Sequence, residues 1–490
     1  MNSDNASKTN ISSSNKCKPP GNKNAANFFD LNIEKILENW EVFHAIREII
    51  ANALDEQILT GTKDISIIKD KNGCWHIIDY GRGLNYHHLT QNENDEKLNN
   101  DKLIGRFGVG LKDALATLYR HNIKVRISSK YATITLSKFP KAGFEDINTL
   151  QAEINEPEDC NMIGTDFCLS GCTDQDIEKA KSLFLKFSKD NILENTVYGS
   201  VIEKSSKEAN IYINGVKVAQ EPNFLFSYNI TSLNAKLKKA LNRERTNVGR
   251  SAYTDRIKAI LLHVTQSNKV IKSLIDDLQN YGNGTMHDEL NWQDVQIYAA
   301  QQLKRMEPNS SFISFDDLQN SPDAIDELKR ENYNPCVIPA NLLNKINEYN
   351  DNPTDGNSFN TITTFWDEKR SNFKPNFISI KELTKSEKKV YSKTKSILAL
   401  IGGKPKQVKD ICITDKIYGP EYFCKTLGLW QPDEQRILIL REQLSSVSEY
   451  AGTLLHECAH AISGASDVNR DFESGLTKML GHLAAKIVKS

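Results

Sequence analysis

Near the carboxy terminus stands Thr453-Leu454-Leu455-His456-Glu457-Cys458-Ala459-His460-Ala461. Its two histidines are four residues apart, so on a helix both imidazoles leave one face and can converge on one metal ion. The glutamate between them can serve as general base toward a water at that ion, as in zinc-dependent peptide hydrolysis. A second group lies near the amino terminus. Glu48 and Asn52, in REIIANALDE, are also four apart on one helix face. An Asn oxygen can ligand Mg2+ beside phosphates, and a Glu one turn away can orient an attacking water. Asp79 follows a strand pattern with Gly81 and Gly83 behind it, and a second glycine cluster, Gly105-Arg106-Phe107-Gly108-Val109-Gly110-Leu111, opens a helix. Glycines at a helix start let backbone N–H groups approach phosphates. The P-loop pattern GxxxxGK[ST] is absent from the sequence.

Elements that could position these groups follow from periodicity. Ile33, Ile36 and Leu37, then Phe43, Ile46, Ile49, Ile50 and Leu54, recur at helical spacing and predict two helices, the second over about 41–59. DISIIKD and CWHIID flank a Gly-bearing turn and predict a hairpin ending at Asp79. A polar stretch follows to Asp101, then the glycine-opened helix, strands KVRISS and YATITLS, and a later strand at Gly164-Thr165. Helices on an antiparallel or mixed sheet are expected. From about 208 to 280 come strands, a basic loop (KLKKALNRERTNVGR) and a helix from Tyr253; residues 291–350 alternate helix and strand. After about 376 a helix, the strands KDICIT and RILIL, and a helical pair from 445 lead to the end.

The order of the first group resembles the GHKL, or Bergerat-fold, ATPases: the superfamily of the gyrase B subunit, MutL, the ninety-kilodalton heat-shock chaperone, histidine kinases and MORC proteins. The resemblance covers about residues 28–205. It implies that Glu48 is the general base, Asn52 the Mg2+ ligand and Asp79 the acceptor for the adenine amino group. It makes Gly81 and Gly83 part of the adenine box, Gly105, Gly108 and Gly110 the lid anchors, and Thr165 the partner on the final strand. Lys112 could reach a phosphate as a point charge. Glu48 argues for hydrolysis over the phosphotransfer of histidine kinases. Relatives carry next a transducer whose basic residue touches the γ-phosphate; Arg243, Arg245 and Arg250 are offered for that role, against a solvated basic loop or nucleic-acid patch. Relatives also imply an ATP-dependent homodimer, with a lid between Tyr86 and Leu103.

Residues 376–490 resemble the HExxH zinc metallopeptidases, the zincins, with RILIL in the place of their substrate-pairing edge strand. The metzincin pattern would need His where Ser466 stands. The third zinc ligand is expected to be Glu473, at the start of the last helix, ahead of Asp467 in the loop GASDVNR; His482 is a remote third choice.

At 490 residues the chain exceeds one hydrophobic core, and about 150 residues per domain gives about three. The expected class is α+β multidomain: a tail (1–26), a Bergerat-fold α/β sandwich (27–205), a transducer-like α/β domain (206–284), a small α/β connector (285–375) and a zincin-like α+β domain (376–490). The Ser, Asn, Lys, Pro and Gly content of the tail predicts disorder, and no run resembles a signal peptide or membrane span. Lys+Arg number 62 against Asp+Glu 63, so the net charge of -1 exerts no overall pull toward nucleic acid or membrane. Nine scattered cysteines are an odd number and no disulfide framework, which favours a reducing, cytoplasmic setting. Cys160, Cys168 and Cys172 lack paired metal spacing, His87-His88 read as solvated loop, and Trp430 reads as packing. The functional expectation is an ATPase, with ATP, Mg2+ and Zn2+ as cofactors, gating a peptidase whose partner is a protein or peptide substrate. A defence or stress role fits such a gate. The rival is a MORC-like or MutL-like clamp on nucleic acid or a protein partner with a structural zinc, and a third reading is a self-processing chain.

Overall fold

The computed structural model describes residues 27–31, 39–90, 100, 102–105, 110–141, 143–241, 248–284, 286–351 and 358–489. Gly108, Arg243 and Arg245 therefore lie outside the described residues, as do the first expected helix and the amino-terminal tail. The chain is a mixed α/β protein with several sheets. It divides into two compact units, one drawing on the chain up to Ser273 with His287–Val295, the other on Leu274–Met286 with Gln296–Ser490. Among the described residues no helix is long and apolar enough to cross a membrane.

The first unit holds a seven-stranded sheet, made of β1 (Asn27–Asp30), β2 (Ser66–Lys69), β3 (Trp75–Asp79), β4 (Lys124–Ser129), β5 (Thr133–Lys141), β6 (Phe144–Asn155) and β7 (Thr165–Ser170). The order is β1-β6-β5-β4-β7-β3-β2 and every neighbouring pair is antiparallel. Two helices pack on one face: α1 (Val42–Thr60) and α2 (Gly110–Arg120). Helix α1 begins at a reciprocal cap between Glu41 and His44 and ends at Gly61, whose φ of 64° is the left-handed stop that glycine adopts without strain. Ile46, Ile49 and Ile50 of α1 and Leu115 and Leu118 of α2 meet Ile77, Ile127 and Leu169 of the sheet, all buried. Each such side chain contributes roughly 1.5–3 kcal/mol by leaving water. Ahead of the first expected helix, the short segment Asn27-Phe28-Phe29-Asp30 forms strand β1 and completes the edge beside β6. Strand β6 itself was absent from the sequence reading: only Leu150, Ala152 and Ile154 mark its apolar face, and the first half, FEDIN, breaks the alternation.

The unit continues with a five-stranded sheet of β8 (Ile192–Thr196), β9 (Gly199–Ile202), β10 (Ala209–Ile213), β11 (Val216–Glu221) and β12 (Ser227–Ile230), in the order β11-β10-β12-β9-β8. Helix α3 (Arg250–Leu262) packs on it through Ile257 and Ile260. Arg250, offered above for nucleotide contact, instead pairs with Asp288 and Glu221 and lies over the Phe224 ring. Beside it Glu289 is fully buried and accepts from the Leu225 and Phe226 N–H groups and the Tyr228 hydroxyl.

The second unit carries a parallel pair, β13 (Ser310–Ile313) and β14 (Asn334–Val337), among helices, and a three-stranded sheet of β15 (Asp410–Thr414), β16 (Gly428–Gln431) and β17 (Arg436–Leu440). Its order, β15-β17-β16, corrects the sequence expectation: RILIL is the central strand and β16 is an edge. The reason is burial. Ile437 to Leu440 are all buried, and a strand covered on both faces and paired on both sides tolerates an unbroken apolar run. Helices α4 (Val447–Ser463) and α5 (Arg470–Lys489) follow, α4 packing on the sheet and α5 on α4.

Burial pushes the Glu289 carboxyl up from its ordinary 4.5 to about 7. Between those values the folded chain holds a proton that the unfolded chain releases, so stability falls as pH rises through the window and levels off above about 7. Denaturant unfolding at pH 5 and pH 8 should show wild type losing about 3 kcal/mol more than Glu289→Gln, at about 1.4 kcal/mol per pH unit. Equal losses would contradict this.

Candidate active sites

Helix α1 carries the first constellation. Glu48 is 3% exposed and takes both Arg47 Nε, at 3.1 Å, and Nη2, at 2.9 Å, on one oxygen. Arg47, itself buried, also lies 5.3 Å from the Trp40 ring. Asn52 follows one turn on and is half-buried. The other Glu48 oxygen faces the start of α2: a Cβ at Gly110 would stand 2.7 Å from it. Glycine there lets the α2 backbone come down on the carboxylate. Lys112, in the first turn of α2, is buried. Gly105 donates its N–H to Asp55 at 2.7 Å, and Ile104 donates to the same carboxylate at 2.6 Å. Sequence reasoning missed Asp55. Its only signal was the i+7 spacing from Glu48, which places both on one face of the helix.

Asp79 ends β3 directly opposite Thr165 of β7. It is 5% exposed, receives the Gly81 N–H at 2.9 Å and is hydrogen-bonded by the Thr165 side chain. Burial nonetheless holds its carboxyl above the ordinary range. Thr165 Oγ1 also accepts from the Leu84 N–H at 3.0 Å, which folds the chain after Gly83 back over the strand end. Gly164, with φ 80°, is required twice over: a Cβ there would stand 2.0 Å from the Asp79 carbonyl oxygen. Gly81 lies against Glu56, whose carboxylate grips Arg82 through Nε at 2.9 Å and Nη2 at 3.0 Å, a pairing the sequence did not announce. The structure thus brings Asp79, Gly81, Gly83, Gly164 and Thr165 together, and sets Glu48 against Gly110.

The second constellation is on α4. His456 Nε2 and His460 Nε2 lie 3.2 Å apart. His460 Nδ1 is 2.8 Å from the Ala465 carbonyl, so Nδ1–H donates there and Nε2 keeps its lone pair. Asp467 Oδ1 is 3.2 Å from His456 Nε2 and 3.4 Å from His460 Nε2. Ligands at about 2.1 Å in tetrahedral array would be about 3.4 Å apart, so this triangle fits zinc. Glu473, the expected third ligand, is exposed on α5, and among the described residues the carboxylate placed against both histidines is that of Asp467. The helix ends at Gly464 with φ 67°, and the turn that follows returns the chain over the histidines. Asp467 arrives before α5 begins at Arg470. What α5 brings instead is Phe472, stacked on the His460 ring with centroids 4.2 Å apart and edge-on to His456 at 5.0 Å.

Glu457 is 5% exposed, with a carboxylate oxygen within 4.8 Å of the histidine nitrogens. Burial pushes its carboxyl up to about 7, opposed by the backbone N–H that Trp430 of β16 donates to it. A Cβ at Gly428 would meet the Glu457 side chain at 2.8 Å, so the glycine lets the edge strand close on the site. Burial holds the His456 imidazole below its ordinary value, against the pull of Asp467, which favours the neutral form that ligates metal.

Residues 175–267, which span the five-stranded sheet, match the family described as the Mycoplasma pneumoniae MPN635 N-terminal domain. A Mycoplasma pneumoniae protein described as uncharacterized is 42% identical over 239 residues, 48% of this chain and 96% of that relative. The chain belongs to this mycoplasmal family. A second uncharacterized protein of the same organism is 26% identical over 348 residues, covering 66% of this chain and 96% of its own length.

Equilibrium dialysis with elemental analysis should find zinc affinity at least about tenfold lower in His456→Ala and Asp467→Ala, the usual scale for losing a ligand or its support. Glu473→Gln should stay within about twofold of wild type. Loss in Glu473→Gln without loss in Asp467→Ala would restore the original assignment.

Proposed function

We propose that the chain is an ATP-regulated zinc metallopeptidase, with a Bergerat-type ATP site in the first unit and a zincin-type site in the second. The five-stranded module would be its transducer-like domain. The nucleotide half is carried by buried Asp79, held by the Gly81 N–H and the Thr165 hydroxyl. A buried carboxylate acceptor at a strand end is suited to the exocyclic amine of adenine. Glu48, pinned by Arg47 above Gly110, would orient the attacking water, and Asn52, one turn on, would ligand Mg2+. Lys112 is near enough in sequence to the helix start to offer a charge to a phosphate.

The peptidase half is carried by two imidazole nitrogens 3.2 Å apart beside a buried glutamate. His456, His460 and Asp467 would hold zinc, which supplies Lewis-acid activation of water and carbonyl when bound. Glu457, with its carboxyl near 7, can take a proton from water and return it to a leaving amine. The exposure of the Asp467 side chain, 63%, leaves an approach for a peptide, whereas a structural zinc is closed off by four ligands. Protein or peptide substrates, and a homodimer formed with ATP, are the partners this reading implies.

Glu48→Ala should bind Mg-ATP with near wild-type affinity while turnover falls at least about a hundredfold. Glu457→Gln should retain zinc and lose cleavage of its protein substrates in a proteome-wide cleavage map. Cleavage rates compared with ATP, a non-hydrolysable analogue, ADP and no nucleotide test the regulation. Wild-type ATP turnover in Glu48→Ala would remove the assigned base, and identical cleavage in all four nucleotide states would leave two independent activities.

A further inference from the structure

One turn of the five-stranded module reaches the backbone that leads into the glycine cluster. Asn214 and Gly215, with φ of 48° and 79°, form the two-residue left-handed turn joining β10 to β11. The Asn214 side-chain amide donates to the Leu103 carbonyl at 3.1 Å. Leu103 is 1% exposed, and the next two N–H groups, of Ile104 and Gly105, are those that Asp55 accepts at 2.6 and 2.7 Å. Three consecutive residues, Leu103, Ile104 and the first glycine of the cluster, Gly105, are therefore held from two sides, by α1 and by the five-stranded module. A cleft of about 440 Å³, lined by Leu54, Ile58, Ile104, Phe184 and Asn214, opens beside them. Apolar packing is incomplete on that side, so the polar bonds set where this backbone lies.

We propose that Asn214 is a positioning residue for the nucleotide site. Through Leu103 it fixes the entry to the glycine cluster, so nucleotide affinity depends on the five-stranded module. The contact needs neither basic residue of the 242–247 segment. It rests on the ATP reading above, and the consequence is reciprocal: whatever shifts the β10–β11 turn changes nucleotide affinity, and nucleotide shifts the turn by the same factor.

Two variants of the full chain test this. Asn214→Asp keeps a residue that tolerates the left-handed turn but replaces the donor with a carboxylate facing a carbonyl; Asn214→Gly keeps the turn and removes the side chain. Without nucleotide, the Ile104 and Gly105 amides should exchange hydrogen about three- to tenfold faster in both, the scale of one lost hydrogen bond. With Mg-ATP, KM should rise by a similar factor while kcat moves less than about twofold. Unchanged exchange, or faster exchange with unchanged KM, overturns the proposal. A wild-type chain that binds no ATP overturns the nucleotide reading instead, and the exchange comparison still decides whether Asn214 holds this backbone.

Discussion

The meeting of β3 and β7 at Asp79 and Thr165 is the constraint on which the first unit depends. The two strand ends can lie side by side only because Gly164 has no Cβ to strike the Asp79 carbonyl. That approach buries the Asp79 carboxylate, supplies its hydroxyl partner from Thr165, and lets the same hydroxyl accept from Leu84. The chain leaving β3 is thereby turned back over the strand ends. Helix α1, packed on the same sheet through its isoleucines, then presents Glu48 toward the start of α2. A buried carboxylate left without donors would cost several kcal/mol. The pairings of Glu48 with Arg47 and of Asp55 with two backbone N–H groups are what make such a polar helix face compatible with a core.

The second unit solves a similar problem with fewer parts. Helix α4 supplies two imidazoles and a glutamate, the Gly464 stop turns the chain, and Asp467 is delivered within seven residues of His460. Phe472 packs against both rings, and the Ala465 carbonyl fixes one tautomer. Edge strand β16 contributes a backbone donor to Glu457 and, through Gly428, the room to do so. Each site thus combines a helix carrying side chains four apart with a glycine that allows another backbone to approach.

What was legible in the sequence was local. Glu48 and Asn52, or His456 and His460, share a helix face because 3.6 residues make a turn, and no tertiary information is needed to see it. Asp79 and its glycines were legible because strand and turn adjoin. Which carboxylate stands beside the two histidines was not, since the choice between Asp467 and Glu473 depends on the path after Gly464, three residues before one and nine before the other. Asp55 was invisible because its partners lie 49 and 50 residues away. The place of RILIL was misjudged because an all-apolar strand carries no mark of which neighbours it has; only the pairing of β17 on both sides supplies it. Asn214 stands in an Asn-Gly pair of the kind that closes a two-residue hairpin, and nothing in that turn chemistry marks its second contact, with Leu103.

The central claim is that buried Asp79 reads adenine, and base selectivity tests it most directly. Equilibrium binding of Mg-ATP and Mg-GTP to the full chain should show saturable ATP binding, with GTP weaker by at least about a hundredfold. Guanine presents a carbonyl where adenine presents its amine, and a buried carboxylate facing it loses its partner. Asp79→Asn should abolish the preference. Equal affinity for the two nucleotides, or binding of neither, would contradict the account.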